Sequence, residues 1–222
     1  MNLCSMVRPK DYELTDGHIG SMLGHRTIWE HLQLKKHGFY LVCEDDWIPP
    51  KNLQVTLSKM DNLEKVDIIY LFHCDRLIKS QNVIHEYCGT DTSWGVPNPT
   101  FGLQAYILTP LGAQKLLQNC TNEKGEGVMW LCDDLTGLSI QTSDWNEILG
   151  QKHEDEANYM RFVKSHQSKF QSFENWQFLN AYGFRKNIGR LMDVDSTTDN
   201  WDYGLHNLLV RTLQIGDFKN AE

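Results

Sequence analysis

The stretch Phe39-Tyr40-Leu41-Val42-Cys43-Glu44-Asp45-Asp46 decides how this chain is read. Five apolar residues in a row read as a buried strand, and three acids stop it abruptly. Trp47-Ile48-Pro49-Pro50 then turns the chain, because proline cannot continue a central strand. Adjacent carboxylates repel one another, so three of them are a costly way merely to end a strand. A divalent cation relieves that repulsion. In an extended backbone Glu44 and Asp46 point to the same side, so both can converge on one ion. Hard oxygen ligands suit Mg²⁺ or Mn²⁺, and such an ion can hold a diphosphate. In open α/β sheets, ligands bind beyond the carboxyl ends of strands, which is where this triplet falls. The plain alternative is a solvated acidic turn.

Upstream, Met22, His25, Trp29 and Leu32 recur at three- and four-residue steps and predict a helix over about 19–36, closed by Gly38 after Lys35-Lys36-His37. Downstream, residues 52–60 read as a short helix, 66–72 as a second strand and 88–100, with two glycines and two prolines, as loop. Residues 103–108 read as a third strand, and Thr109-Pro110 opens a helix carrying Ala113, Leu116 and Leu117 on one face. Val128–Leu131 is apolar and leads into Cys132-Asp133-Asp134. Beyond about Gly150 an aromatic stripe from Tyr159 to Phe173 predicts a helix packing on the core, and residues after Glu174 are aromatic but aperiodic. Strands separated by helices argue for an α/β fold with a mostly parallel sheet flanked by helices and a helical C-terminal region. The expected division is a main domain over 1–150 and an extension over 151–222.

Composition narrows the partners. The chain has 222 residues, 41% of them hydrophobic and 23% charged, as expected of a globular chain. Its net charge of −8 disfavours nucleic acid and anionic membrane as main partners. Mean hydropathy is −0.47, and no window reaches the length of a membrane span. The first ten residues lack a secretory h-region, so a cytoplasmic location is expected. The six cysteines show no CxxC pair or zinc spacing and are expected to be reduced. Asn119-Cys120-Thr121 formally matches a glycosylation sequon.

Four segments together resemble glycosyltransferase family 25, which includes lipooligosaccharide and collagen galactosyltransferases. They are Leu14-Thr15-Asp16-Gly17-His18-Ile19-Gly20-Ser21-Met22-Leu23-Gly24-His25-Arg26-Thr27-Ile28-Trp29, then Leu41–Asp46, then Gly102–Leu117, then Cys132-Asp133-Asp134-Leu135, in the family's order. The resemblance implies a GT-A type fold, a UDP-sugar donor, Mn²⁺ or Mg²⁺, a glycan or glycoprotein acceptor, and transfer of a hexose with inversion. By carry-over Glu44, Asp45 and Asp46 take the metal and diphosphate position, with Asp46 and Glu44 on the metal and Glu44 and Asp45 on the donor. An inverting reaction needs a carboxylate to deprotonate the acceptor hydroxyl, and Asp133 or Asp134 is the candidate, for that or for acceptor binding. A helix N-cap pair is their structural alternative. His25 is a candidate for donor support or a satisfied core histidine. The family's opening strand and loop are not found in the 15 residues before Asp16, so the expectations are a fragment of a longer chain, a missing part supplied from elsewhere, or weakened donor binding, the last with a relic that only binds carbohydrate or a partner as the rival reading. A metal-dependent hydrolase on the same acidic edge is a third.

His153 is a candidate late metal ligand and His206 a similar one. His73-Cys74-Asp75-Arg76, Trp94 and Phe101 are candidates to rim the cleft. Asp193–Asp199 fails as a calcium loop, since Thr198 and Gly204 stand where Gly and Glu are needed. There is no GxGxxG, P-loop or GxSxG.

Overall fold

The computed structural model describes residues 16–58, 65–72, 83–85, 94–95, 102–121, 132–140, 176–184, 187–191 and 211–214. The elements are α1 (Asp16–Leu32), β1 (Tyr40–Cys43), β2 (Trp47–Ile48), α2 (Leu53–Leu57), β3 (Ile68–Tyr70), β4 (Val83–His85), β5 (Trp94–Gly95), β6 (Ala105–Leu108), α3 (Pro110–Asn119), α4 (Cys132–Leu138), β7 (Ala181–Phe184), β8 (Arg190–Leu191) and β9 (Arg211–Gln214).

The apolar runs form strands because both of their faces are covered. Tyr40 and Val42 of β1, Ile68 and Tyr70 of β3, and Tyr106 and Leu108 of β6 pack with Met22, Trp29, Leu116 and Leu135 of the helices. The alternate residues Leu41, Ile69, Ala105 and Ile107 pack on the other face with Trp47, Leu57, Phe184 and Ile188. Two apolar faces at a period of two give the unbroken runs read in the sequence. The helix expected after Thr109 is capped as its sequence implies: Thr109 Oγ1 accepts from Gly112 N at 3.1 Å and Pro110 takes the first turn.

The sheet departs from the expected mostly parallel order. Seven strands run β4-β5-β7-β3-β6-β1-β9, and of the neighbouring pairs only β3–β7 is parallel. β1, β3 and β7 do point the same way, as helix–strand alternation leads one to expect. β6 inserts antiparallel between β1 and β3, and this makes the sheet mixed. The division at residue 150 is not a division of the sheet, because β7 lies within it between β5 and β3. The described part of 151–222 contributes strands, while the expected helix over 159–173 lies outside the described residues. Trp94–Gly95, expected within a loop, pairs with β7 and with β4.

Helix α1 ends at Leu32, earlier than expected. Leu34 N–H and Lys35 N–H bond three residues back, to His31 and Leu32, and so unwind the last turn. Among the described residues no helix is long and apolar enough to cross a membrane. The Asn119 sequon is not available in this fold. Asn119 is buried, and its amide nitrogen donates to Ser139 Oγ and the Gln177 carbonyl, each at 2.8 Å.

Candidate active site

Antiparallel register places the carboxyl ends of β1 and β3 at one edge of the sheet, beside the start of β6: Cys43 faces Ala105 and Tyr70 faces Tyr106. Glu44 N–H continues the ladder to the Gln104 carbonyl at 2.9 Å, and Leu71 N–H bonds the Ala105 carbonyl at 3.0 Å. The acidic triplet therefore emerges where the sheet-edge rule places a ligand.

The extended backbone assumed for the triplet is not what forms. Trp47 N–H bonds the Glu44 carbonyl at 3.3 Å, so residues 44–47 close a turn. Trp47 anchors this turn: its indole N–H donates to the Ile188 carbonyl at 3.0 Å, and β2 pairs with β8. Gly189 makes the pairing possible. Its φ is +90°, and a Cβ there would lie 2.6 Å from the Ile48 carbonyl and 2.7 Å from the indole nitrogen of Trp47.

The three acids end in different surroundings. Asp45 is exposed. Asp46 is half-buried, and its Oδ1 is buried without a hydrogen-bond partner. Burial, then the nearby Glu44 and Asp45 charges, push the Asp46 carboxyl above its ordinary value of 3.8. Glu44 is committed inward, where its Oε1 accepts from His25 Nε2 at 3.2 Å. His25 is fully buried and reaches the acidic turn only through Glu44 among its described contacts. On its other side His25 Nδ1 lies 2.9 Å from the Tyr106 hydroxyl, which accepts from Trp29 Nε1 at 2.9 Å.

Asp46 thus carries one buried oxygen without a hydrogen-bond partner and the charges of Glu44 and Asp45 nearby, and a cation would offset both. Among the described residues, no cluster of three or more His, Cys, Asp or Glu groups forms a metal site. Asp133 and Asp134 fall in the first turn of α4, which packs against α1 and α3. Their side chains lie outside the described residues, as do His153, His206, His73-Cys74-Asp75-Arg76, Phe101 and Asp193–Asp199. Tyr106 and Trp47 were not singled out by the sequence. Each sits in an apolar run or turn, and only its polar atom's partner reveals a role.

A family model described as glycosyltransferase family 25 (LPS biosynthesis protein) matches residues 5–135, more than half of the chain. No curated protein and no solved structure matches the chain. The matched span holds α1, the acidic turn, β6 and the first residues of α4. Both Ile188 and Gly189, which pin the turn, lie beyond it.

Proposed function

On the premise that this chain belongs to glycosyltransferase family 25, we propose that it transfers a hexose from a UDP-sugar to a hydroxyl of a glycan or glycoprotein, with inversion at the sugar carbon. The observation that carries the reading is the acidic turn at the carboxyl end of β1, with Asp46 Oδ1 buried and unsatisfied. Asp46, with Asp45 beside it, would hold Mn²⁺ or Mg²⁺, and His153 is the candidate late ligand. When bound, the ion supplies positive charge against the departing diphosphate. Glu44, held by His25, presents a fixed carboxylate to the donor's polar groups. Asp133 or Asp134 accepts the proton of the acceptor hydroxyl as it attacks the sugar carbon. The turn's anchorage through Trp47 and Gly189 keeps these carboxylates from relaxing apart, which favours a preorganised site.

The test is a thermal-shift titration with UDP-galactose and UDP-glucose, with and without Mn²⁺. Joint stabilisation by metal and one nucleotide sugar is expected, about 5–10 °C at a hundredfold excess over Kd. Asp46→Asn should abolish the shift while leaving the unliganded melting curve in place. A folded parent chain that responds to no nucleotide, but does respond to a glycan, would overturn the transferase reading in favour of a binding module.

A further inference from the structure

A string of polar atoms crosses the apolar core between α1 and β6. Trp29, His25 and Tyr106 are each fully buried, and Trp29 and Tyr106 belong to the same apolar cluster as Met22, Val42, Leu103 and Leu135. Such groups are costly to bury unless each is bonded, and a phenylalanine at 106 would fill the same space without the hydroxyl. The hydroxyl is nonetheless used on both sides, by Trp29 Nε1 and by His25 Nδ1. The imidazole is also flanked by both aromatic rings, with centroids 6.2 Å away at Trp29 and 5.7 Å away at Tyr106. The string ends on Glu44, whose side chain is 20% exposed at the acidic turn. Its far end therefore meets solvent at the candidate site.

Proton bookkeeping gives the string a direction. An ionised Glu44 carboxylate can only accept, so His25 Nε2 carries the hydrogen. In the neutral ring Nδ1 is then the acceptor, and it takes the hydrogen of the Tyr106 hydroxyl. The Tyr106 oxygen in turn accepts from the Trp29 indole. Every hydrogen has one place, and the ring has one tautomer.

We propose that Tyr106 is a positioning residue for the transfer reaction, fixing the His25 ring and through it the orientation in which Glu44 meets the donor. The proposal rests on the transferase reading above. Glu44 has one oxygen committed to His25, so its remaining acceptor capacity has a set direction. Without the Tyr106 hydroxyl the imidazole keeps only its Glu44 bond, so the ring, and Glu44 with it, loses its fixed orientation.

The experiment uses the full chain and two readouts. The first is the ring ¹⁵N spectrum of His25 without metal or nucleotide, at one fixed pH. Parent and Tyr106→Phe should both show the Nε2–H tautomer that Glu44 selects, and in the variant the Nδ1 signal should move to that of an acceptor without a hydrogen bond. The second is calorimetric binding of UDP with Mn²⁺. Tyr106→Phe should raise Kd roughly tenfold to a hundredfold, the range for lost outer-shell support, with binding stoichiometry unchanged. A merely structural role would lower the stoichiometry and leave Kd in place. Should Tyr106→Phe fold poorly, a pair at 25 still decides. His25→Gln keeps an amide N–H near the Nε2 position and should retain most of the affinity, whereas His25→Asn reaches only the Tyr106 side and should lose it. A parent ring in the Nδ1–H tautomer overturns the proposal, as does an unchanged Kd in Tyr106→Phe and in both His25 variants. A parent that shows the expected tautomer but binds no UDP overturns the transferase reading instead, and with it the donor-positioning role.

Discussion

The two edges of the central sheet each hold a buried or half-buried aspartate, and they are built on opposite terms. At the β3 start Asp67 is fully buried, but its Oδ2 accepts from Lys115 Nζ at 2.6 Å and from Asn180 N–H at 2.7 Å. Its carbonyl takes the Thr109 N–H at 3.0 Å, and its N–H donates to the Asn180 carbonyl at 2.9 Å. One residue thus ties β3, α3 and the lead-in to β7 together. At each edge the aspartate's Oδ1 is buried without a hydrogen-bond partner, but Asp46 has no cation among its described contacts and stands beside two more acids. A carboxylate supplied with a partner holds the fold. A carboxylate without a cation, on an anchored turn, is where a ligand's charge is to be expected.

Substitutions at the two edges should therefore separate stability from binding. The largest effect belongs to Lys115→Met, which strands the Asp67 charge in the interior. Urea unfolding should show a loss of about 3–5 kcal/mol, the cost of breaking a buried pair. The surviving folded protein should keep its affinity for nucleotide. Gly112→Ala attacks the same edge sterically, since a Cβ there would collide with the Asp67 carbonyl. A loss of about 1–3 kcal/mol is expected in the same assay.

Asp46→Asn should go the other way, leaving stability unchanged or raising it by about 0.5–1 kcal/mol while nucleotide binding disappears. Its pH signature has a definite sign. The Asp46 carboxyl is raised in the folded state, so its protonated form favours folding. That contribution is fully present below the ordinary value of 3.8 and is lost as pH rises through the raised folded value. In chelator, the stability of the parent relative to Asp46→Asn should therefore improve as pH falls from 7 toward 4. A difference that stays flat, or moves against the parent, would remove Asp46 from the strained edge. The smallest effect concerns Cys120, buried on the helix side, where burial pushes the thiol up to about 12. A thiol reagent at pH 8 should leave it unmodified in the native chain and react only on denaturation.

Legibility in the sequence followed the kind of force involved. Strands buried on both faces announce themselves as apolar runs, so 39–43, 66–72 and 103–108 were readable, and so were the faces of α1 and α3. Strand order was not, because a run such as 103–108 carries no mark of its neighbours. Nothing in it says that β6 would separate β1 from β3. β2 hid behind Pro49-Pro50, and β7 hid in a stretch without periodicity, since short strands take their register from partners rather than from pattern. The acidic triplet was legible because like charges in sequence stay close in space. Its turn was not, because the hydrogen bonds that shape it come from Gln104 and Ile188. Tyr106 reads as core, and it is core. Only the placement of its hydroxyl shows more.

The insertion of β7 between β3 and β5 also sets the order in which the molecule can be made. Asn180 and Asp67 are 113 residues apart in sequence, yet they bond beside the parallel β3–β7 pair. A growing chain that has emerged only as far as the end of the matched span exposes β3 with one side unpaired. It also leaves Trp47 without the Ile188 carbonyl it bonds. Helices α1 and α3 can dock against β1 and β6 early, from contacts within the first 120 residues. The acidic turn gains its Ile188 anchor only when the late segment arrives. The half-made protein therefore has a core before its site is anchored, and its open β3 edge is the surface that synthesis must shield from other chains.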